Sequence, residues 1–198
     1  MCERDVRRLA GTRYLSQKEL PGFSLVEISI VLLIIGILAG AVMKGKDLIE
    51  SAQLQSVASD IHDLQISYAS YVSSYGSIPG NDGAAIARFG GGVKNGSGSG
   101  ALTSEEAKEV MKHLHAAGLI NSENFKLPKI GGTYDVIAEN GVAKVRLSDD
   151  GKEFLSYKQV VALRAKISDL TGSLPDDIEI TPSELKPDGK YLLKVKIR

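Results

Sequence analysis

Cysteine and net charge are both scarce in this sequence. Its 198 residues contain one cysteine, Cys2, which cannot form a disulfide within the chain. Stability must therefore come from core packing, for which a domain of about 120 residues is large enough. The 24 basic and 24 acidic side chains balance, so no overall field favours nucleic acid as a partner.

The residue patterns of most catalytic and metal sites are also missing. The three histidines have no evident nucleophile as a partner, so we expect no enzyme activity and no cofactor. Two acidic turns offer oxygen ligands for calcium, but neither has the spacing of an EF-hand, so we assign no metal to them: Asp149-Asp150-Gly151 and Asp176-Asp177.

One long apolar run lies near the N-terminus. Residues 23–43 contain a single charged side chain, Glu27. As a helix they would measure roughly 31 Å, which matches a bilayer core of about 30 Å, so we predict that they span a membrane. A carboxylate inside such a helix is costly unless it has a partner, which makes Glu27 a functional candidate.

The segment before this run, residues 1–22, has an excess of cations. It carries five basic and three acidic side chains, and such an excess favours retention in the cytoplasm: Arg4, Arg7, Arg8, Arg13 and Lys18 against Glu3, Asp5 and Glu19. The C-terminal part would then face outward. Pro21-Gly22 interrupts any helix and leaves an extended peptide bond that a protease can reach.

These residues carry a family resemblance. The run Gly22-Phe23-Ser24-Leu25-Val26-Glu27, followed by the apolar stretch, resembles the cleavage and methylation signature of type IV prepilins and type II secretion pseudopilins. In that family a prepilin peptidase cuts after the glycine, the new first residue is N-methylated, and the glutamate directs assembly. The resemblance therefore implies processing at Gly22 and Phe23 and an assembly role for Glu27. Major pilins, minor pilins and pseudopilins share this signature.

The resemblance also implies a location and partners. The chain would cross the bacterial inner membrane once, with its C-terminal domain in the periplasm, and would later enter a pilus or pseudopilus filament. Its partners would be further copies of itself, other pilins or pseudopilins, the prepilin peptidase and methyltransferase, and the inner-membrane assembly platform. A second function stays open, namely a signal-anchored periplasmic binding domain that never polymerises and keeps Glu27 near the headgroups.

Elementary electrostatics agrees with the implied assembly role. Cleavage before Phe23 creates a cationic α-amine, against which a neighbouring subunit can bury its Glu27 carboxylate. Slipping one subunit along the filament would leave that carboxylate without its cation, at a cost of about 3 to 5 kcal/mol. The pair would therefore fix the register between subunits.

A helical pattern continues beyond the apolar run. Apolar and tyrosine side chains recur at spacings of three and four up to Tyr75, where Gly76 and Pro79 end the helix. We predict one helix over 23–75, whose second half packs on the protein's own domain and does not form a coiled coil. The chain then divides into a leader (1–22), a membrane half (23–43), an amphipathic half (44–75) and an exported domain (76–198).

The exported domain shows mixed signals for helices and strands. The glycine-rich segment 90–100 predicts a flexible surface loop, and the capping box at Thr103 predicts a helix that ends at Gly118. A hairpin is predicted around Asn140-Gly141, a helix over 157–170, and strands around 178–180 and 191–197. We therefore predict a pilin-like α+β fold, in which a long N-terminal helix packs on a small domain with an antiparallel sheet.

Overall fold

The computed structural model describes residues 22–122, 130–172, 175–184 and 186–197. The predicted leader, apart from Gly22, and its charges lie outside these residues. Contacts within the chain define two compact units, Met1–Gly45 and Lys46–Arg198.

The first element is a single long helix. Helix α1 spans Leu25–Tyr75, and it ends at Gly76, which has a φ of 63° and donates its N–H to the Val72 carbonyl at 2.9 Å. Glycine adopts this left-handed conformation without strain, which explains the end of the helix at this residue. The predicted extent of the N-terminal helix is confirmed.

The part of α1 in the second unit supplies one side of a hydrophobic core. Its buried side chains repeat at spacings of three and four, so one stripe of the helix faces inward: Leu54, Val57, Ala58, Ile61, Leu64, Ser67, Tyr68 and Tyr71. They join one cluster with the buried residues of the sheet and of the later helices. The helix therefore packs on its own domain, as predicted.

The sheet has five antiparallel strands with the last one at its centre. Strands β1 (Thr133–Glu139) and β2 (Val142–Ser148) form a hairpin. Strands β3 (Leu155–Ser156) and β4 (Ile178–Thr181) follow, and β5 (Lys190–Lys196) pairs with β2, β3 and β4. The hairpin turn has φ values of 53° at Asn140 and 77° at Gly141, which suit a two-residue turn. The predicted hairpin and strands are confirmed.

Helix α5 follows β3 and covers the core. It spans Tyr157–Thr171, begins with a capping box between Ser156 and Gln159, and buries Val160, Leu163 and Ile167. This spacing is the one from which the helix was predicted. With α1 and the antiparallel sheet it completes the α+β fold, so the predicted fold class is confirmed.

The segment between α1 and the sheet differs from the prediction. Its described residues, 76–122 and 130–132, hold three short helices, α2 (Ala85–Phe89), α3 (Ser104–Ala107) and α4 (Val110–Ala116). We predicted one helix where α3 and α4 stand. The chain tightens between them, because Lys108 and Glu109 donate to carbonyls three residues earlier. The backbone of Gly80 also packs against the end of α3, where a Cβ at Gly80 would lie 2.4 Å from the Glu106 carbonyl oxygen.

Candidate functional site

The predicted cleavage point lies just before the first turn of α1. Gly22, Phe23 and Ser24 are exposed and not helical, and the Phe23 side chain is 83% exposed. The first helical hydrogen bond near this point runs from the Ile28 N–H to the Ser24 carbonyl at 3.2 Å. The peptide bond between Gly22 and Phe23 is therefore outside the helical hydrogen-bond network, so a protease would not have to unwind α1 to reach it.

Glu27 takes part in capping the start of this helix. Its Oε2 accepts the Ser24 N–H at 2.8 Å, and the Ser24 hydroxyl accepts the Val26 N–H at 3.3 Å. Two N–H groups that would have no helical partner are thereby satisfied. No described residue donates a hydrogen bond to the other oxygen, Oε1. The carboxylate can thus hold its own helix start and still accept a second donor.

The apolar residues that follow expose their side chains on every face of α1. The described residues contain one helix long and apolar enough to cross a membrane, and its most apolar 18-residue window has a mean hydropathy of 2.7 and no buried residues. The large exposed side chains in this stretch include Leu33 and Ile37, at 63% and 64% exposure. A surface of this kind needs lipid or other helices around it.

Gly36 and Gly40 lie inside this stretch. A Cβ built on either glycine would meet no other atom within 4 Å. Neither glycine is therefore needed for packing within the described part of the chain.

A second polar cluster lies in the C-terminal domain. It is centred on the turn Pro79-Gly80-Asn81-Asp82, where Asn81 is 2% and Asp82 1% exposed. The Asn81 amide nitrogen donates to Ser97 Oγ and to Glu106 Oε1, both at 2.9 Å, and its Oδ1 accepts the Gly100 N–H at 2.9 Å. The second half of the glycine-rich segment is a surface loop, as predicted, and these hydrogen bonds connect it to the domain; its flexibility stays a prediction.

Glu106 contributes one of the two carboxylates of this cluster, the other being that of Asp82. The Glu106 carboxylate also accepts the Ser97 N–H at 2.7 Å and both the N–H and the hydroxyl of Thr103, at 2.9 and 2.8 Å. Burial raises the pKa of Glu106, but these hydrogen bonds lower it more, to about 2. The carboxylate therefore stays ionised in the folded protein at every ordinary pH.

Asp82 links the same turn to α1 and α2. It accepts the Tyr71 hydroxyl at 2.8 Å and the Ala84 N–H at 2.9 Å, and it pairs with Arg88. Burial raises the pKa of Asp82, but the bonds from Ala84 and Tyr71 and the charge of Arg88 outweigh it, so the pKa lies below 3.8. The described hydrogen bonds satisfy this carboxylate without a ligand.

His113 fastens the turn to α4. Its side chain is fully buried, its Nδ1 accepts the Gly80 N–H at 3.0 Å, and its Nε2 lies 2.8 Å from the Lys94 carbonyl oxygen. Since a carbonyl oxygen only accepts, Nε2 must carry the proton. His113 is therefore a packing histidine, whereas His115 on the same helix is exposed.

The solvent side of the sheet carries a group of ion pairs. Lys144 Nζ lies 2.7 Å from both Glu139 and Glu179, and Lys194 Nζ lies 2.6 Å from Glu139. Hydrogen bonds from Lys144 and Lys194 hold the pKa of Glu139 below 4.5. These pairs join residues on four strands, so they tie the hairpin of β1 and β2 to β4 and β5.

The acidic turns considered for calcium lie apart in the sheet. Asp149 follows the end of β2, whose Leu147 pairs with Leu193 of β5, whereas Asp177 directly precedes Ile178 of β4, which pairs with Val195. Over the described ranges, no group of three or more His, Cys, Asp or Glu side chains could hold a metal ion. Calcium remains unassigned, and the expectation of no cofactor remains a prediction.

Comparisons with known proteins add one finding. No family model and no curated protein matches the chain. Among solved structures, the chain is similar to the major type IV pilin PilA1 from Clostridium difficile, with 19% identity and a TM-score of 0.43 over 75% of this chain and 96% of that one. A likeness at this level assigns neither family nor function to this chain.

Proposed function

We propose that this chain is a subunit of a pilus-like filament, either a type IV pilus or a type II secretion pseudopilus. The observation that carries the proposal is the start of α1, where the exposed, non-helical Gly22-Phe23 leads into the exposed apolar residues 25–43 of the helix, among which Glu27 is the single charge. A soluble globular domain does not need an exposed apolar surface of this kind. A membrane, and later a bundle of similar helices, would each cover it.

Maturation would begin with cleavage after Gly22 by a prepilin peptidase, followed by N-methylation of Phe23. The new amine would stand one residue before Ser24, whose N–H already binds Glu27 Oε2. The free Oε1 of a neighbouring subunit's Glu27 would accept this amine when the helices stack. In this pair neither buried charge would lack a partner, so the pairing would set the axial register between subunits.

The membrane would hold the subunit before assembly. Residues 23–43 would span the bacterial inner membrane, with the domain in the periplasm as the cations of the leader favour. The assembly platform and other pilins or pseudopilins would then draw the helix into the filament. Nothing in the described fold favours catalysis, and we propose a structural role.

One observation favours the second candidate, a signal-anchored periplasmic domain that never polymerises. The bond from the Ser24 N–H lowers the cost of keeping Glu27 in a membrane. The two candidates differ in what Glu27 is needed for. In the anchored domain it would be dispensable, whereas in the filament it would be required.

The test is a pair of variants in the native host. Glu27→Val should leave the amount of protein in the membrane unchanged and remove it from the sheared filament fraction. Ser29→Val should enter filaments normally, because it deletes a nearby hydroxyl that, among the described residues, bonds only to the Val26 carbonyl. Normal assembly of the Glu27→Val protein would refute the pairing, and absence of the wild-type protein from any filament would favour the anchored domain.

A further inference from the structure

Two Asn-Gly pairs in this chain stand in opposite surroundings. They are Asn95-Gly96 and Asn140-Gly141. In such a pair the glycine nitrogen can attack the asparagine side-chain carbonyl, since glycine has no Cβ to hinder the approach. Whether the reaction occurs in a folded protein depends on whether the two groups are free to meet.

At Asn95-Gly96, hydrogen bonds fix both reacting groups, the Asn95 side chain and the Gly96 N–H. The Asn95 Oδ1 accepts the Ile86 N–H at 2.8 Å, and the Gly96 N–H donates to the Asp82 carbonyl at 2.9 Å. The Gly96 backbone is also packed so closely that a Cβ there would lie 2.4 Å from the Asn81 Cα. The Gly96 nitrogen therefore cannot turn toward the Asn95 side chain unless the loop opens.

The surroundings of Asn140 leave both groups free. Asn140 is exposed at the tip of the β1–β2 hairpin, and strand pairing ends at Glu139 and Val142. Over the described residues, no hydrogen bond involves the Asn140 side chain or the Gly141 N–H, and the turn is tied down on this side by the bond from the Leu102 N–H to the Gly141 carbonyl. A two-residue turn at a hairpin tip can open locally without breaking the core.

We propose that Asn140 is a site of spontaneous deamidation in the folded protein. The Gly141 nitrogen loses its proton and bonds to the Asn140 side-chain carbon, and the side-chain nitrogen leaves as ammonia, which gives a cyclic imide. Water then opens the imide at either carbonyl, to aspartate or to isoaspartate. Overall one water is consumed and one ammonia is released, and the turn gains one negative charge.

The product would change the hairpin and its ion pairs. Isoaspartate adds a main-chain carbon to a turn whose two residues fit the strand pairing only in the left-handed conformation. The new carboxylate would stand next to Glu139, which holds Lys144 and Lys194. Age would therefore alter the surface of the sheet at this end.

The experiment compares the two pairs within one molecule. Detergent-solubilised full-length protein is incubated at mildly alkaline pH, digested with trypsin and analysed by mass spectrometry. Cleavage after Lys94, Lys108, Lys129 and Lys144 puts Asn95 and Asn140 on different peptides. The Asn140 peptide should convert at least about tenfold faster than the Asn95 peptide, since the Gly96 N–H must first leave Asp82.

A denatured sample supplies the control. In urea both pairs lose their surroundings and should convert at similar rates, with isoaspartate as part of the product. Equal rates in the folded protein would overturn the proposal, as would an Asn140 peptide that stays unchanged in the folded protein while it converts in urea. The second outcome would mean that the closed turn itself protects the pair.

Discussion

Replacing Glu106 by glutamine should destabilise the C-terminal domain. The Glu106 carboxylate accepts four hydrogen bonds, from Ser97, Asn81 and two groups of Thr103. A glutamine side chain has one oxygen that can accept hydrogen bonds. Its amide group would replace the second carboxylate oxygen and would face N–H or O–H donors that it cannot accept from. The change therefore removes a charge and leaves part of the cluster without an acceptor.

The pKa of Glu106 gives the size of this effect. The pKa of Glu106 falls from 4.5 to about 2 on folding, and because this side chain is partly exposed, solvent screening leaves a stabilisation of about 1 to 2 kcal/mol when the group is ionised in both states. The pKa is lowered on folding, so this stabilisation is complete above pH 4.5 and is lost as the pH falls toward about 2.

The assay is chemical unfolding of the detergent-solubilised protein, followed by circular dichroism over a series of pH values. At neutral pH, Glu106→Gln should lower the free energy of unfolding by about 1 to 2 kcal/mol. The difference from wild type should shrink as the pH falls below 4.5. Glu105→Gln is the matched control, because Glu105 is exposed and bonds only to Lys108. A loss no larger than that of the control, or a difference that does not change with pH, would refute the reasoning.

Two further substitutions test how the turn is held. Gly80→Ala should destabilise the domain by about 2 kcal/mol or more, because Gly80 has a φ of 85° and an added Cβ would meet the Glu106 carbonyl. Gly98→Ala is the control and should cost less, because Gly98 has a φ of 68° but open space around it. Equal losses of stability in the two variants would contradict the packing argument. His113→Phe should lower the free energy of unfolding, measured in urea or by heating, by about 2 to 4 kcal/mol, because it removes the partners of the Gly80 N–H and the Lys94 carbonyl. His115→Phe, at an exposed position, is the control. If both variants lose equally little stability, the His113 hydrogen bonds contribute little.

Much of the fold follows from local patterns. The end of α1 was predictable because Gly76 stands where the apolar spacing stops, and glycine tolerates the φ of 63° that the end requires. The hairpin was predictable because Asn140 and Gly141 are the residues that a two-residue turn favours. In each case neighbouring residues alone determine the conformation.

The buried turn at Asn81 was not predictable in this way. Its partners Ser97, Gly100 and Glu106 lie 16 to 25 residues away, and no local spacing brings them together. The break between α3 and α4 was also missed, and it lies where Gly80, far away in the sequence, packs against the end of α3. The central place of β5 in the sheet is also a long-range property, since three separate segments pair with it.

The N-terminal site was likewise predictable only in part. The sequence predicted Gly22, Phe23 and Glu27, and the fold adds that Ser24 already binds one oxygen of Glu27. Residues 23–43 make no core of their own, so their role depends on what surrounds them. Pairing between subunits, cleavage and methylation remain proposals until the mature protein is examined.

The mass of the N-terminal peptide, measured for protein from membranes and from sheared filaments, tests these proposals most directly. We expect the filament protein to begin at Phe23 with one added methyl group, and the membrane fraction to contain the same cleaved form. A chain that keeps residues 1–22 in both fractions would contradict the proposed maturation, and with it the pairing of Glu27 with a Phe23 amine.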